Sequence, residues 1–137
     1  MNKAQLIYLL LIFSICINIA CAPKLMPPED YVIEAGSNSG CGPFGMVNFK
    51  QKRIKLHLPY WCPKEIAETA VTNHEIAHVW GIEGCKKPWC IMFEPDQLGF
   101  SPDNRGIEML AKPFQFLFGL RFCDDCKRHL KEKGVID

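Results

Sequence analysis

Residues 73–92 read NHEIAHVWGIEGCKKPWCIM, and this stretch decides the expected fold and the candidate site. Residues four apart in a helix lie one turn apart on the same face, so His74 and His78 would offer two imidazoles to one ion. Glu75 directly follows the first histidine, where its carboxylate could accept a proton from a water held by a zinc ion. Taken alone, His-Glu-x-x-His is a short pattern that also occurs on solvated helix faces.

The residues that follow this pattern strengthen the interpretation as a metal site. Gly81 lies three residues past His78, where a helix that must end and turn needs a residue tolerant of positive φ. Two pairs of closely spaced cysteines, separated by a long loop, come next in the chain. Such pairs are typical of a closed site in which four thiolates hold a structural zinc ion.

This order of residues resembles the archaemetzincins, a metzincin-related family of zinc metallopeptidases. The resemblance spans roughly residues 53–133 and includes nine positions that occur in the family's order. The matching residues are His74, Glu75, His78, Gly81, Cys85, Cys90, Met92, Cys123 and Cys126.

The resemblance implies a role for each matching side chain and a peptide or protein as the substrate. His74 and His78 would bind a catalytic zinc, Glu75 would be the general base, and Met92 would be the turn methionine beneath the metal. A second, structural zinc would be bound by the four cysteines Cys85, Cys90, Cys123 and Cys126.

One position departs from the family pattern, because Gly84 stands where a third histidine ligand is expected. A catalytic zinc normally has three protein ligands and one open position. Glu83, Glu94, Asp96 or a water molecule could take the vacant place, and the sequence does not choose among them. Two hypotheses follow: a working zinc metallopeptidase, or a catalytically impaired, envelope-anchored binding or scaffold protein of the same fold.

The cysteines also allow a different interpretation. Residues 1–20 have one charged side chain, Lys3, and an apolar run typical of a signal peptide, so the protein is expected to be exported. Cysteines of exported proteins commonly form disulfides, and the six that follow residue 30 could form three of them. We expect the zinc site for the four C-terminal cysteines, and a disulfide between Cys41 and Cys62.

The N-terminal segment resembles that of a lipoprotein, because Ile19-Ala20-Cys21 is similar to a bacterial lipobox. Lipidation of Cys21 would anchor the protein to a cell-envelope membrane, on the periplasmic face of the outer membrane in a Gram-negative cell. Secretion without a lipid, and an uncleaved membrane anchor, are the alternatives. Residues 21–30 contain three prolines and are predicted to be a linker.

Length and charge set the remaining expectations. The 137 residues suffice for one domain, predicted over 31–137. With 16 basic and 15 acidic side chains, the chain lacks the basic excess that a nucleic-acid partner demands. Neither the oligomeric state nor the specificity for a substrate can be predicted.

The pattern of apolar residues predicts an α+β fold in which a small mixed sheet packs on the active-site helix. Strands are expected near 31–33, 46–49 and 53–60, the last because Ile54, Leu56 and Leu58 alternate with polar residues. The active-site helix is predicted over 64–80. Two further helices are predicted over 105–112 and 113–133, the second ending at Gly134 and tied back through the cysteine site.

Overall fold

The computed structural model describes residues 2–20, 24–36, 45–58, 64–100 and 121–137. Within these ranges the elements follow one another as α1 (Lys3–Ala20), β1 (Val32–Ala35), β2 (Gly45–Asn48), β3 (Arg53–Leu56), α2 (Lys64–Val79), a 3₁₀ helix (Pro95–Leu98) and α3 (Asp124–Glu132). Three α-helices and a small mixed sheet confirm the predicted α+β class.

The three strands form one sheet in the order β1-β3-β2. β1 runs parallel to β3, and β2 runs antiparallel to β3 with Val47 opposite Ile54. Ile54 and Leu56 are buried while Arg53 and Lys55 are exposed, as the alternation predicted. Both β2 and β3 contact α2, so the apolar face of the sheet covers the helix that carries the two histidines.

Helix α2 ends where the sequence predicted, through a turn at Gly81. This glycine has a φ of 92°, and the N–H of Ile82 donates to the carbonyl of Ala77 at 3.0 Å. Such a hydrogen bond satisfies a carbonyl of the last helical turn and reverses the chain. The following residues are therefore directed back towards the histidine face of the helix.

The second half of the predicted linker packs against the domain. Leu25 is only 2% exposed, and its N–H donates to Oδ1 of Asn73 in α2 at 2.8 Å. Nε1 of Trp80 donates to the carbonyl of Met26 at 3.2 Å. Burying Leu25 joins this part of the predicted linker over 21–30 to the core.

Helix α3 is shorter than the helix predicted over 113–133. It begins at Asp124, and Cys123 is the N-cap residue with extended backbone, at φ −71° and ψ 169°. The end of the helix agrees with the prediction, because Gly134 follows it with a φ of 69°. The predicted helix over 105–112 and the predicted start at Pro113 lie outside the described residues.

The N-terminal helix α1 coincides with the predicted signal segment, and side chains along it such as Leu6, Tyr8 and Phe13 are exposed. In the part of the chain that the structure describes, no helix has the length and apolar character needed to cross a membrane. The lipidation candidate Cys21 lies outside the described residues, as do Cys41 and Cys62.

Candidate metal centres

His74 and His78 present their imidazoles to each other from successive turns of α2. The two Nε2 atoms lie 3.1 Å apart, and the rings meet edge to face at an interplanar angle of 82°. Both side chains are part-buried, with 25% and 19% of their surfaces exposed. The predicted pair of nitrogens is therefore brought together at one place.

A backbone carbonyl orients each ring through its other nitrogen. Nδ1 of His74 lies 2.8 Å from the carbonyl oxygen of Ile91, and Nδ1 of His78 lies 2.7 Å from that of Ile82. Because a carbonyl only accepts, each Nδ1 carries the proton, and in the neutral ring each Nε2 is the nitrogen with the lone pair. This is the arrangement by which proteins commonly orient metal-binding histidines.

Glu94 supplies the third donor that the sequence left open. Its Oε1 lies 3.1 Å from Nε2 of His78 and 3.8 Å from Nε2 of His74. The other two candidates, Glu83 and Asp96, are exposed and do not belong to this group. The sequence named Glu94 among the candidates for the third ligand but did not select it. Its distance from the histidines depends on how the cysteine loop turns.

Gly84 leaves the space that Glu94 occupies. A Cβ placed at Gly84 would lie 2.8 Å from Oε2 of Glu94 and 3.0 Å from Cγ of Gln97. Real Cβ atoms essentially never lie as close as 2.8 Å to another heavy atom, so a side chain at position 84 would require the carboxylate end of Glu94 to move. Gly84 and Glu94 are therefore compatible with each other, whereas a histidine at position 84 would compete with Glu94 for the same space.

The spacing of the three donors fits a zinc ion. Donors held tetrahedrally at about 2.0–2.1 Å from zinc stand about 3.3 Å from one another. The observed separations of 3.1, 3.1 and 3.8 Å are centred on that value. Two histidines and one glutamate also form a ligand set found in catalytic zinc sites, with a fourth position left open.

Glu75 is buried beside this group. This residue is 7% exposed, and a Cβ added at Gly45 of β2 would overlap Oε1 of Glu75, so the strand backbone closely approaches the carboxyl group. Burial raises the pKa of Glu75 to about 7, with a smaller increase from Glu94 and an opposing effect of His78. A carboxyl group with a pKa in this range suits general acid–base chemistry near neutral pH.

His78 is influenced by the same neighbours. Burial disfavours its charged form, but the hydrogen bond and the negative charge of Glu94 outweigh that effect, so the pKa of His78 is raised. Without an ion, Glu94 therefore favours a proton on the imidazole. A cation bound between these groups would take the place of that proton, because it interacts with the same lone pairs.

The four C-terminal cysteines form a second cluster, tied together as predicted. Sγ of Cys123 lies 3.6 Å from Sγ of Cys85 and 3.6 Å from Sγ of Cys126. Sγ of Cys126 also lies 3.7 Å from Sγ of Cys90. No disulfide joins any of these four cysteines. Disulfide sulfurs lie about 2.0 Å apart, so these separations are too long for disulfide bonds among the four cysteines.

The same sulfur separations fit a tetrahedral ion. Sulfurs bound to zinc at about 2.3 Å stand about 3.8 Å apart, close to the observed 3.6–3.7 Å. Burial raises the pKa of Cys85 to about 12, whereas hydrogen bonding with Cys126 is the main cause that lowers the pKa of Cys90 to about 6. In the absence of a cation the cluster therefore does not carry four thiolates.

Met92 is completely buried and follows Ile91, whose carbonyl accepts from His74. Its flexible thioether fills the core at the turn that carries this carbonyl.

A scan against protein-family models, and searches of curated proteins and of solved structures, find no match for this chain.

Proposed function

We propose that this protein is a zinc-dependent metallopeptidase of archaemetzincin type, in which Glu94 replaces the third histidine ligand. The observation that carries the proposal is the convergence of His74, His78 and Glu94 at zinc-like spacing beside the buried carboxyl group of Glu75. Zinc bound here would supply a Lewis acid that polarises a carbonyl group and acidifies a water molecule.

The chain's own residues account for the remaining steps of peptide hydrolysis. The two histidines and Glu94 would hold the ion, and the carbonyls of Ile82 and Ile91 orient the imidazoles. A carboxylate oxygen of Glu75 accepts a proton from the attacking water and later donates it to the leaving amine. Its burial beside Gly45 raises the pKa of this group to about 7.

The edge of the sheet supports a peptide as the substrate. β2 lies at one end of the strand order, and its first residue, Gly45, contacts Glu75. An extended peptide can add to a strand edge through backbone hydrogen bonds, with its side chains directed alternately to either face. Pairing with β2 would bring a peptide bond close to the catalytic carboxyl group.

The competing hypothesis, an impaired binding or scaffold protein, rested on the loss of the third ligand at Gly84. Glu94 weakens that reason, because its carboxylate oxygen lies beside the same two imidazoles and could serve as the third metal ligand. The binding-protein hypothesis then needs some other defect in the site. We therefore prefer the enzyme, and the same experiments distinguish the two.

Counting metal ions tests the site. The proposal expects two zinc ions per chain in the wild type, one at the cysteines and one at His74, His78 and Glu94, and a single ion in His74→Ala. Glu75→Gln should retain both ions and lose cleavage of a peptide library by about 10²–10⁴-fold, the usual contribution of a general base. Equal cleavage by Glu75→Gln and the wild type would refute the mechanism.

We also propose that residues 1–20 are a lipoprotein signal peptide and that Cys21 carries the lipid anchor in the cell envelope. The apolar run and the Ile19-Ala20-Cys21 sequence support this placement. Metabolic labelling with palmitate should mark the wild type and not Cys21→Ser. Labelling of both proteins would exclude Cys21 as the lipidated residue.

A further inference from the structure

The two candidate metal centres share a single loop. Cys85 and Cys90 belong to the four-cysteine cluster, and the same loop continues through Ile91 to Glu94. The carbonyl of Ile91 orients His74, and the carboxylate of Glu94 lies beside both histidines. Two groups that build the histidine site therefore come from a segment that begins at the cysteines.

Short hydrogen bonds connect this segment to the cysteine backbone. The N–H of Glu94 donates to the carbonyl of Cys85 at 3.1 Å, and the N–H of Phe93 donates to the carbonyl of Cys90 at 3.0 Å. Cys85 and Phe93 also form an isolated β-bridge. The position of Glu94 is therefore set by where Cys85 and Cys90 are held.

The second cysteine pair, Cys123 and Cys126, is also connected to this loop. The N–H of Ile91 donates to the carbonyl of Arg121 at 3.0 Å, and the N–H of Cys123 lies 3.3 Å from Sγ of Cys90. An ion bound by four thiolates would hold Cys123 and Cys126 against Cys85 and Cys90, and so keep both ends of this connection in place.

We infer that the four-cysteine centre is a positioning element for the histidine centre, so that metal at the cysteines strengthens metal binding by His74, His78 and Glu94. The inference rests on the proposed function only in that these three residues must bind an ion. Groups that orient metal ligands typically change affinity about 10–100-fold when they are lost, and we expect coupling of that size.

The coupling is reciprocal, as thermodynamic linkage requires. If metal at the cysteines raises the affinity of the histidine centre by some factor, metal at the histidine centre raises the affinity of the cysteines by the same factor. If the cysteine cluster only stabilised the fold, removing its metal would lower the stability of the protein. In the folded chain, metal at the histidine centre would then leave the metal affinity of the cysteines unchanged.

Cobalt titration of the metal-free, reduced full chain can follow each centre separately. Cobalt bound by thiolates has a sulfur-to-metal charge-transfer band, which a site of two histidines and a carboxylate lacks. We expect this band and the ligand-field absorption of the histidine centre to rise together over two equivalents of cobalt, because each bound ion strengthens binding of the other. Filling of the histidine centre first, at full affinity, would overturn the inference.

The reciprocal arm avoids variants that lose a cysteine and fail to fold. His74→Ala and Glu94→Gln retain all four thiols, and both should bind cobalt at the cysteines about 10–100-fold more weakly than wild type whose histidine centre is filled. Glu83→Gln, which changes an exposed neighbouring carboxylate, serves as the matched control and should match the wild type.

The possible failures are distinguishable. If the wild type binds one cobalt ion, at the cysteines alone, then the proposed function fails together with the inference. If it binds two ions, and the cysteine affinity is the same in wild type, His74→Ala and Glu94→Gln, then the coupling fails while the histidine centre and the proposed function stand.

Discussion

Replacing Gly84 by alanine should weaken the histidine centre without unfolding the protein. The added Cβ would lie 2.8 Å from Oε2 and 3.2 Å from Cδ of Glu94, and 3.0 Å from Cγ of Gln97, whereas ordinary contact begins at 3.4 Å. Oε2 of Glu94 must therefore move by about 0.6 Å. Because Oε1 belongs to the same rigid carboxylate, we expect it to leave its place beside the two histidines by more than the tolerance of about 0.2 Å in metal–ligand distances.

The magnitude follows from this displacement. A ligand held out of position typically costs about 10–100-fold in metal affinity, or roughly 1.4–2.7 kcal/mol. The free energy of unfolding of the metal-free protein should change by less than about 1 kcal/mol, because a glycine-to-alanine change also reduces the entropy of the unfolded chain. The loss should therefore appear in zinc binding and not in folding.

Competition with a zinc chelator measures this affinity on protein whose cysteine centre is already loaded, and circular dichroism with urea unfolding measures the stability. Glu83→Ala is the control, since this neighbouring residue is exposed and outside the donor group. Wild-type zinc affinity in Gly84→Ala would refute the reasoning that Gly84 makes room for the carboxylate ligand.

Three further outcomes are expected from the same geometry. Glu94→Gln should lose zinc from the histidine centre while retaining it at the cysteines, and Glu83→Gln should retain both ions in a metal count; two ions in Glu94→Gln would contradict the assignment of this ligand. Burial raises the folded pKa of Glu75 from its ordinary 4.5 to about 7, so the folded state binds the extra proton between these pH values. The free energy of unfolding of the metal-free wild type should then fall as pH rises from about 4.5 to about 7, by up to about 3 kcal/mol, and Glu75→Gln should lack this decrease in urea titrations. Alkylation of the native protein should leave Cys85, Cys90, Cys123 and Cys126 unmodified until a chelator is added, as mass spectrometry would show; thiols that become reactive only after reduction would indicate disulfides instead.

Local patterns in the sequence determined the elements that depend on near neighbours. The four-residue spacing of His74 and His78 places both on one helix face by helical geometry alone. Alternation of apolar and polar residues was enough to predict β3, and the glycines at positions 81 and 134 mark the two helix ends. Cysteine spacing favoured a four-thiolate cluster, and the structure brings those four sulfurs together.

Tertiary structure decided which carboxylate completes the histidine group and how Glu75 is buried. Glu83, Glu94 and Asp96 were equivalent candidates by composition, and only the fold of the cysteine loop brings Glu94 within 3.1 Å of His78. The pKa of Glu75 depends on burial beside Gly45, 30 residues earlier in the chain. Such distances depend on turns and packing between remote segments, which hydrophobic periodicity does not encode.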